Sequence, residues 1–133
     1  MGRVEGITLV KDRAGAIERV EAVRAEAGKG IEGDYHGDLT LITAEALEEL
    51  PVEGHETRRN LLTTGIDLNA LVGKRFTVGE VEALGVELAE PCTKLQRLTG
   101  QKSLLRALVH RGGLRADILR GGQIRIGDSI RPR

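Results

Sequence analysis

The chain is 133 residues long and carries 20 basic and 20 acidic residues, a formal charge of zero. That length can bury a core without a metal or disulfide staple, and it predicts a single domain over residues 1–133. The charge balance argues against an electrostatic footprint for nucleic acid or an acidic membrane, and Tyr35 and Phe76, the only aromatic residues, are too few for base-stacking recognition of single strands.

The core must then be packed from Val, Ile, Leu and Ala. One cysteine, Cys92, cannot form an intrachain disulfide, and the first residues lack the basic and apolar regions of a signal peptide. No apolar run approaches the roughly 18 residues of a spanning helix, so a cytoplasmic location is expected.

Residues 3–10 and 17–25 read as strands, joined by a turn from Asp12 to Gly15 into a hairpin. The glycine-rich stretch 28–38 reads as a loop that turns tightly more than once. Leu39 to Ile42 suggests a strand, after which Thr43 can cap a short helix over 44–50 that ends before Pro51. From Asn60 the chain alternates between short strands and turns, with Asp67 placed to cap one helical turn at DLNALVG. In 80–90, Val81 and Ala83 share one parity while Leu84, Val86 and Leu88 share the other, so a bulge near Gly85 would let both sets face the core. Residues 93–109 carry a helical pattern closed by Gly112 and Gly113. The end, LRADILR, Gly121-Gly122, QIRIGDSI, reads as two alternating strands around a two-residue turn. Many short strands, frequent glycine and few helices predict a mainly β fold, a closed or nearly closed barrel with short helices on the rim.

Several residues have chemistry to offer. Cys92 follows Glu90-Pro91 and precedes a basic segment, where helix N–H groups, Lys94 and Arg97 would favour the thiolate, the form that acts as nucleophile or soft metal ligand. The plainer reading is a small buried hydrophobe. Arg58, Arg59 and Asn60 can grip a phosphate or the polar edge of a planar ligand, or can be a solvated charge pair at a strand end. Arg111 with Gly112 and Gly113 offers a second anion site, or a simple helix end. Asp34 can orient His36 as acid, base or anion donor, or can serve as turn chemistry with His36 exposed. Gly127-Asp128 reads as a turn. His36, His55, His110 and Cys92 are too scattered for structural zinc, four-cysteine iron–sulfur ligation is excluded, and no glycine-rich nucleotide loop appears.

Four segments, the loop through 31–38, RRNLLTTGIDLNALVGKRFTVG at 58–79, EPC at 90–92 and RGGLRADILRGGQIRIGD at 111–128, together resemble the motifs of the MOSC domain family, named for the C-terminal domain of molybdenum-cofactor sulfurase. The resemblance spans nearly the whole chain and implies a β-barrel associated with the molybdenum cofactor, the matching cysteine, Cys92, carrying sulfur or ligating molybdenum. With that resemblance beside the chemistry of the residues, Arg58, Arg59, Asn60, Lys94, Arg97, Arg111, Gly112 and Gly113 rank as cofactor-binding candidates, and Cys92, His36 and Asp34 as catalytic ones. A family association with pyridoxal phosphate also exists. Some related proteins reduce N-hydroxylated bases and would need a separate electron donor here; others deliver sulfur, which implies a cysteine desulfurase as partner. A non-enzymatic module binding an anionic ligand is a further possibility. Some members place a second cysteine near the first, and this chain has none.

Overall fold

The computed structural model describes residues 2–12, 16–48, 54–89 and 113–133. Its strands are β1 (Gly2–Val10), β2 (Ile17–Val20), β3 (Ala22–Glu26), β4 (Gly30–Ile31), β5 (Leu39–Thr43), β6 (Leu61–Thr64), β7 (Arg75–Val78), β8 (Val81–Leu88), β9 (Leu114–Arg120), β10 (Gly122–Arg125) and β11 (Ser129–Pro132).

Seven strands form a ring in the order β11-β7-β8-β9-β5-β6-β1, closed where Gly2 and Arg3 of β1 pair with Ile130 and Ser129 of β11. All neighbours are antiparallel except β5 and β6. The expected barrel is therefore present, and closure removes the unpaired edges that a flat sheet of this size would expose. A second sheet, β10-β3-β4, contributes Val23, Ala25, Ile31 and Ile124 to the same apolar cluster as the barrel interior.

The cluster is aliphatic, as the composition demands, with Phe76 fully buried at its centre and Tyr35 outside it. Burying each such leucine, isoleucine or valine side chain contributes about 1.5–3 kcal/mol. Strand β1 shows how local sequence is adapted to the barrel. Its first half alternates buried and exposed residues; then the register with β6 shifts between Val4 and Gly6, and Ile7 to Val10 are buried on both faces.

The β1–β2 hairpin forms, Asp67 caps the turn Leu68–Leu71 by accepting from the Asn69 amide at 3.1 Å, and Gly127-Asp128 is a turn closed on Arg125. The bulge near Gly85 is also present, as register shifts between β8 and β9 on either side of Ala83–Gly85. Gly85 is required there, because a Cβ would overlap the carbonyl oxygen of Leu71 where the Leu68–Leu71 turn docks on β8.

Four expectations change. Residues 17–25 are two strands, because after Val20 the chain leaves β1 and Ala22–Arg24 pair with β10; unbroken alternation hides a change of partner. The C-terminal hairpin is absent: β9 pairs with β5 and β8, while β10 crosses to β3, and the side-chain-free Gly121-Gly122 backbone turns a corner between sheets. Val86 is 42% exposed, since the bulge turns it outward along with Glu87. The helix after Thr43 is, within the described residues, a single 3-10 turn, Glu45–Leu47, with the Thr43 hydroxyl accepting from the Ala46 amide at 3.2 Å. The expected helix over 93–109 lies outside the described residues.

Gly85→Ala should cost about 2 kcal/mol or more, because the clash is with backbone that cannot swing away. Gly37→Ala, with open space where its Cβ would stand, should change stability by less than about 0.5 kcal/mol. Urea unfolding of the two variants checks the contrast.

Candidate functional site

The end of the barrel where β1 finishes and β5 and β6 begin gathers the most polar chemistry among the described residues. Asn60, immediately before β6, is fully buried. Its Nδ2 donates to the Thr8 carbonyl on β1 at 3.1 Å and to Asp34 Oδ1 at 3.0 Å, while its Oδ1 accepts from the Thr40 amide and hydroxyl on β5, each at 3.1 Å. An amide has two donors and two acceptor sites, and all four are occupied. Its backbone is held too: the Asn60 amide donates to the Thr40 hydroxyl at 2.9 Å and its carbonyl accepts from the Thr8 amide at 2.8 Å.

Asp34 sits in the loop between β4 and β5 with its side chain wholly shielded from solvent. Its Oδ1 accepts from the Val10 amide at 2.5 Å and from Asn60; its Oδ2 accepts from the His36 amide at 3.0 Å and faces His36 Nδ1 at 2.7 Å. Turn chemistry and imidazole orientation, read from sequence as alternatives, are thus done by one carboxylate at once. His36 keeps 27% of its side chain exposed, and its ring stacks on Tyr35 with centroids 4.0 Å apart. Burial by itself would push the Asp34 carboxyl up, but hydrogen bonds from the His36 imidazole and from the Val10 and His36 amides, with the His36 charge, outweigh it and hold the group below the ordinary carboxylate value.

The two arginines precede Asn60 in the chain and reach to other segments. Arg58 has a left-handed backbone, φ 62°, uncommon for a residue other than glycine, and its Nη2 donates to the Asp12 carbonyl just past β1 at 3.2 Å. Arg59 Nη2 donates to the Ala89 carbonyl at 3.0 Å, tying the start of β6 to the end of β8. Beside them Arg115 bridges Asp38, at 2.8 Å, and Glu87.

The structure thus brings Asp34, His36 and Asn60 into one hydrogen-bonded group, while Arg58 and Arg59, next to Asn60 in the chain, direct their guanidiniums to the Asp12 and Ala89 carbonyls. Gly113 accepts at its carbonyl from the amide of Ala89, the residue that Arg59 holds, at 2.8 Å, and lines an open cleft of about 210 Å³ with Thr43, Ala46 and Ile66–Asn69 at the end of β5 away from Asp34. Its φ of 109° and its contact with the Leu41 carbonyl, which a Cβ would overlap, give it a packing reason to be glycine. Cys92, Lys94, Arg97, Arg111 and Gly112 lie outside the described residues. Sequence reasoning missed Thr8, Thr40 and Arg115. A threonine inside the apolar run LTLIT was the one available hint, since a buried hydroxyl needs a partner. Among the described residues no group of three or more His, Cys, Asp or Glu could hold a metal ion, and no helix is long and apolar enough to cross a membrane.

Asn60→Ala strands donors and acceptors on three segments and should cost about 3–5 kcal/mol, seen as a lower urea midpoint at unchanged slope. For Asp34 the sign follows from its lowered native value. The folded state binds this proton less readily than the unfolded chain, so the contribution is complete above the ordinary aspartate value, near 3.9, and is lost as pH falls through the lowered one. Asp34→Asn should therefore be about 2–4 kcal/mol less stable at neutral pH and should lack that part of the acid limb. Parallel stability curves from neutral to acid pH would contradict this account.

A family model described as the MOSC domain matches residues 35–131. No curated protein sequence matches the chain. Among solved structures, the YuaD protein from Bacillus subtilis superposes with a TM-score of 0.84 at 18% identity, covering 98% of this chain and 94% of its own. YiiM from Geobacillus stearothermophilus gives 0.78 at 15% identity, covering 100% of this chain and 75% of its own. YiiM from Escherichia coli gives 0.71 at 17%, covering 98% and 69%. At these identities the structures establish a shared fold, and the match over 35–131 makes the chain a member of the MOSC domain family.

Proposed function

We propose that the protein is associated with the molybdenum cofactor, binding its anionic pterin at the end of the barrel built by Asp34, His36, Arg58, Arg59 and Asn60, with Cys92 facing the metal or carrying sulfur. The observation that carries the reading is a buried Asp34–Asn60 pair that orients His36, with Arg58 and Arg59 directly before Asn60 in the chain and Arg59 anchored on Ala89, three residues before Cys92.

The donor set fits the group. Guanidiniums offer paired N–H bonds and positive charge to phosphate and pterin oxygens, a local attraction in a chain that is neutral overall. Arg58 and Arg59 would hold the phosphate side, and His36 would face a polar edge of the ligand. Asn60 would act through Asp34, fixing the plane in which His36 presents its ring. When bound, the cofactor supplies the redox chemistry. Lys94, Arg97, Arg111, Gly112 and Gly113 remain candidate contacts on or beside the segment that contains Cys92.

Two finer readings follow from the same site. In one, Cys92 accepts sulfur from a cysteine desulfurase and passes it on. In the other, Cys92 ligates molybdenum in a reductase of N-hydroxylated compounds fed by a separate electron donor. A thiolate serves both, and as the chain has a single cysteine, any resolving thiol must come from elsewhere.

Protein purified from a host that makes the cofactor should contain molybdenum and pterin near one equivalent, measured by elemental analysis and oxidised-pterin fluorescence. Arg58→Ala/Arg59→Ala should lower the pterin by about tenfold or more. Loss of molybdenum in Cys92→Ala makes the thiol a ligand. Absence of both molybdenum and pterin from the wild type defeats the cofactor reading, and a sulfur atom added to Cys92 by desulfurase and cysteine, seen by mass spectrometry, would then mark a carrier.

A further inference from the structure

Asp34 dictates which ring nitrogen of His36 carries hydrogen. A carboxylate has about four acceptor sites, and here each oxygen takes two donors: Oδ1 the Val10 amide and Asn60 Nδ2, Oδ2 the His36 amide and ring Nδ1. Three of these are N–H groups that cannot turn into acceptors. Asn60 cannot flip to offer its oxygen instead, because its Oδ1 is taken by the Thr40 amide and hydroxyl and its Nδ2 also serves the Thr8 carbonyl. The Asp34 carboxyl is held below the ordinary carboxylate value, so at neutral pH it is ionised and can only accept. The ring nitrogen 2.7 Å from it is therefore a donor, and in the neutral ring the lone pair belongs to Nε2. Among the described residues Nε2 makes no hydrogen bond, on a ring that is partly exposed and stacked on Tyr35.

We propose that Asp34 makes the outward nitrogen of the neutral His36 ring a hydrogen-bond acceptor, so that what this end of the barrel takes against Nε2 is a hydrogen-bond donor, an N–H or O–H, and not a bare anion oxygen. Asp34 and, behind it, Asn60 are positioning residues. The inference rests on the cofactor reading for its ligand: a phosphate presents acceptor oxygens, whereas a pterin ring carries N–H groups, so His36 meets the ring. A nearly isosteric change reverses the polarity. In Asp34→Asn the Val10 amide and Asn60 Nδ2 together claim the single oxygen, and the side-chain NH2 is left facing His36. Nδ1 must then accept, at the cost of the bond from the His36 amide, and hydrogen moves to Nε2. One buried atom thus decides whether the partly exposed ring edge accepts or donates, with the charge of the ring unchanged.

Long-range proton–nitrogen correlation on protein labelled with nitrogen-15 histidine reads the tautomer, at a pH where the nitrogen shifts themselves show a neutral ring. The expected wild-type result is hydrogen on Nδ1 and a bare Nε2. Hydrogen on Nε2, or a ring that keeps both hydrogens wherever the chain stays folded, overturns the proposal without any variant. Asp34→Asn, if folded, should carry hydrogen on Nε2, an inversion that a mere packing role would not produce; an unchanged tautomer removes Asp34 as the positioning residue. Two probes then test the ligand on the wild-type chain: pterin, whose ring has N–H donors, and 1,3-dimethyllumazine, a pteridine with none. Pterin should move the Nε2 resonance toward its hydrogen-bonded value while dimethyllumazine leaves it in place. Pterin bound, as its fluorescence reports, with Nε2 unmoved, or equal shifts from both probes, overturns the acceptor role while the cofactor reading stands. Pterin unbound defeats the cofactor reading and the ligand assigned here, while the tautomer stands or falls by the first two measurements.

Discussion

A buried asparagine has to find partners for two donors and two acceptors, and Asn60 finds them on β1, on β5 and in the loop before β5. Leaving any one of them unmade in the interior would cost about 1–3 kcal/mol, so the side chain fixes the spacing of three segments at once. No other residue type meets the demand. Aspartate would set a second acceptor against Asp34, and leucine would strand the Thr8 carbonyl and the Thr40 amide. The position of Asp34, and through it the plane of the His36 ring, is inherited from this one amide.

The barrel supplies the rigidity that the network needs. Closing the ring through β1 and β11 leaves β1 bonded on both sides, to β6 and to β11 or β2, along most of its length, so the Val10 amide that meets Asp34 is held by flanking sheet and not by a free loop end. The bulges in β1 and β8 provide the bend, and the tight contact of Gly85 with the Leu71 carbonyl lets a turn dock where any side chain would hold it off. Among the described residues the one positive φ outside glycine falls beside the network. Arg58 keeps a left-handed backbone at a cost of about 1–2 kcal/mol, two residues before Asn60.

Electrostatically the site is arranged in layers. Asp34 is inside, ionised and saturated with donors, and His36 stands outside it; of the two arginines before Asn60, one is anchored near the end of β1 and the other at the end of β8. The Arg115 bridge to Asp38 and Glu87 lies on the neighbouring face, where both carboxylates hold that guanidinium above its ordinary value and keep it charged.

The sequence by itself determined the fold class and the family. Short alternating strands, glycine punctuation and an aliphatic core allow little but a β-barrel, and four ordered motifs name it. It also determined that Asp34 and His36 could touch, because two residues apart in a tight loop is enough, and that Asp67 would cap its turn, because capping is local. Tertiary structure alone decided which strands are partners: 17–25 reads as one strand, but its two halves belong to different sheets, and Gly121-Gly122 serves a sheet-to-sheet corner as well as it would a hairpin. It alone revealed that Asn60 is buried while its neighbours reach outward, since one polar letter beside two others carries no sign of depth. The meeting of Asp34 with Asn60 joins residues 26 apart in the chain, and that of Arg59 with Ala89 joins residues 30 apart. Local pattern holds no record of such distances; they exist only once the ring of strands has closed.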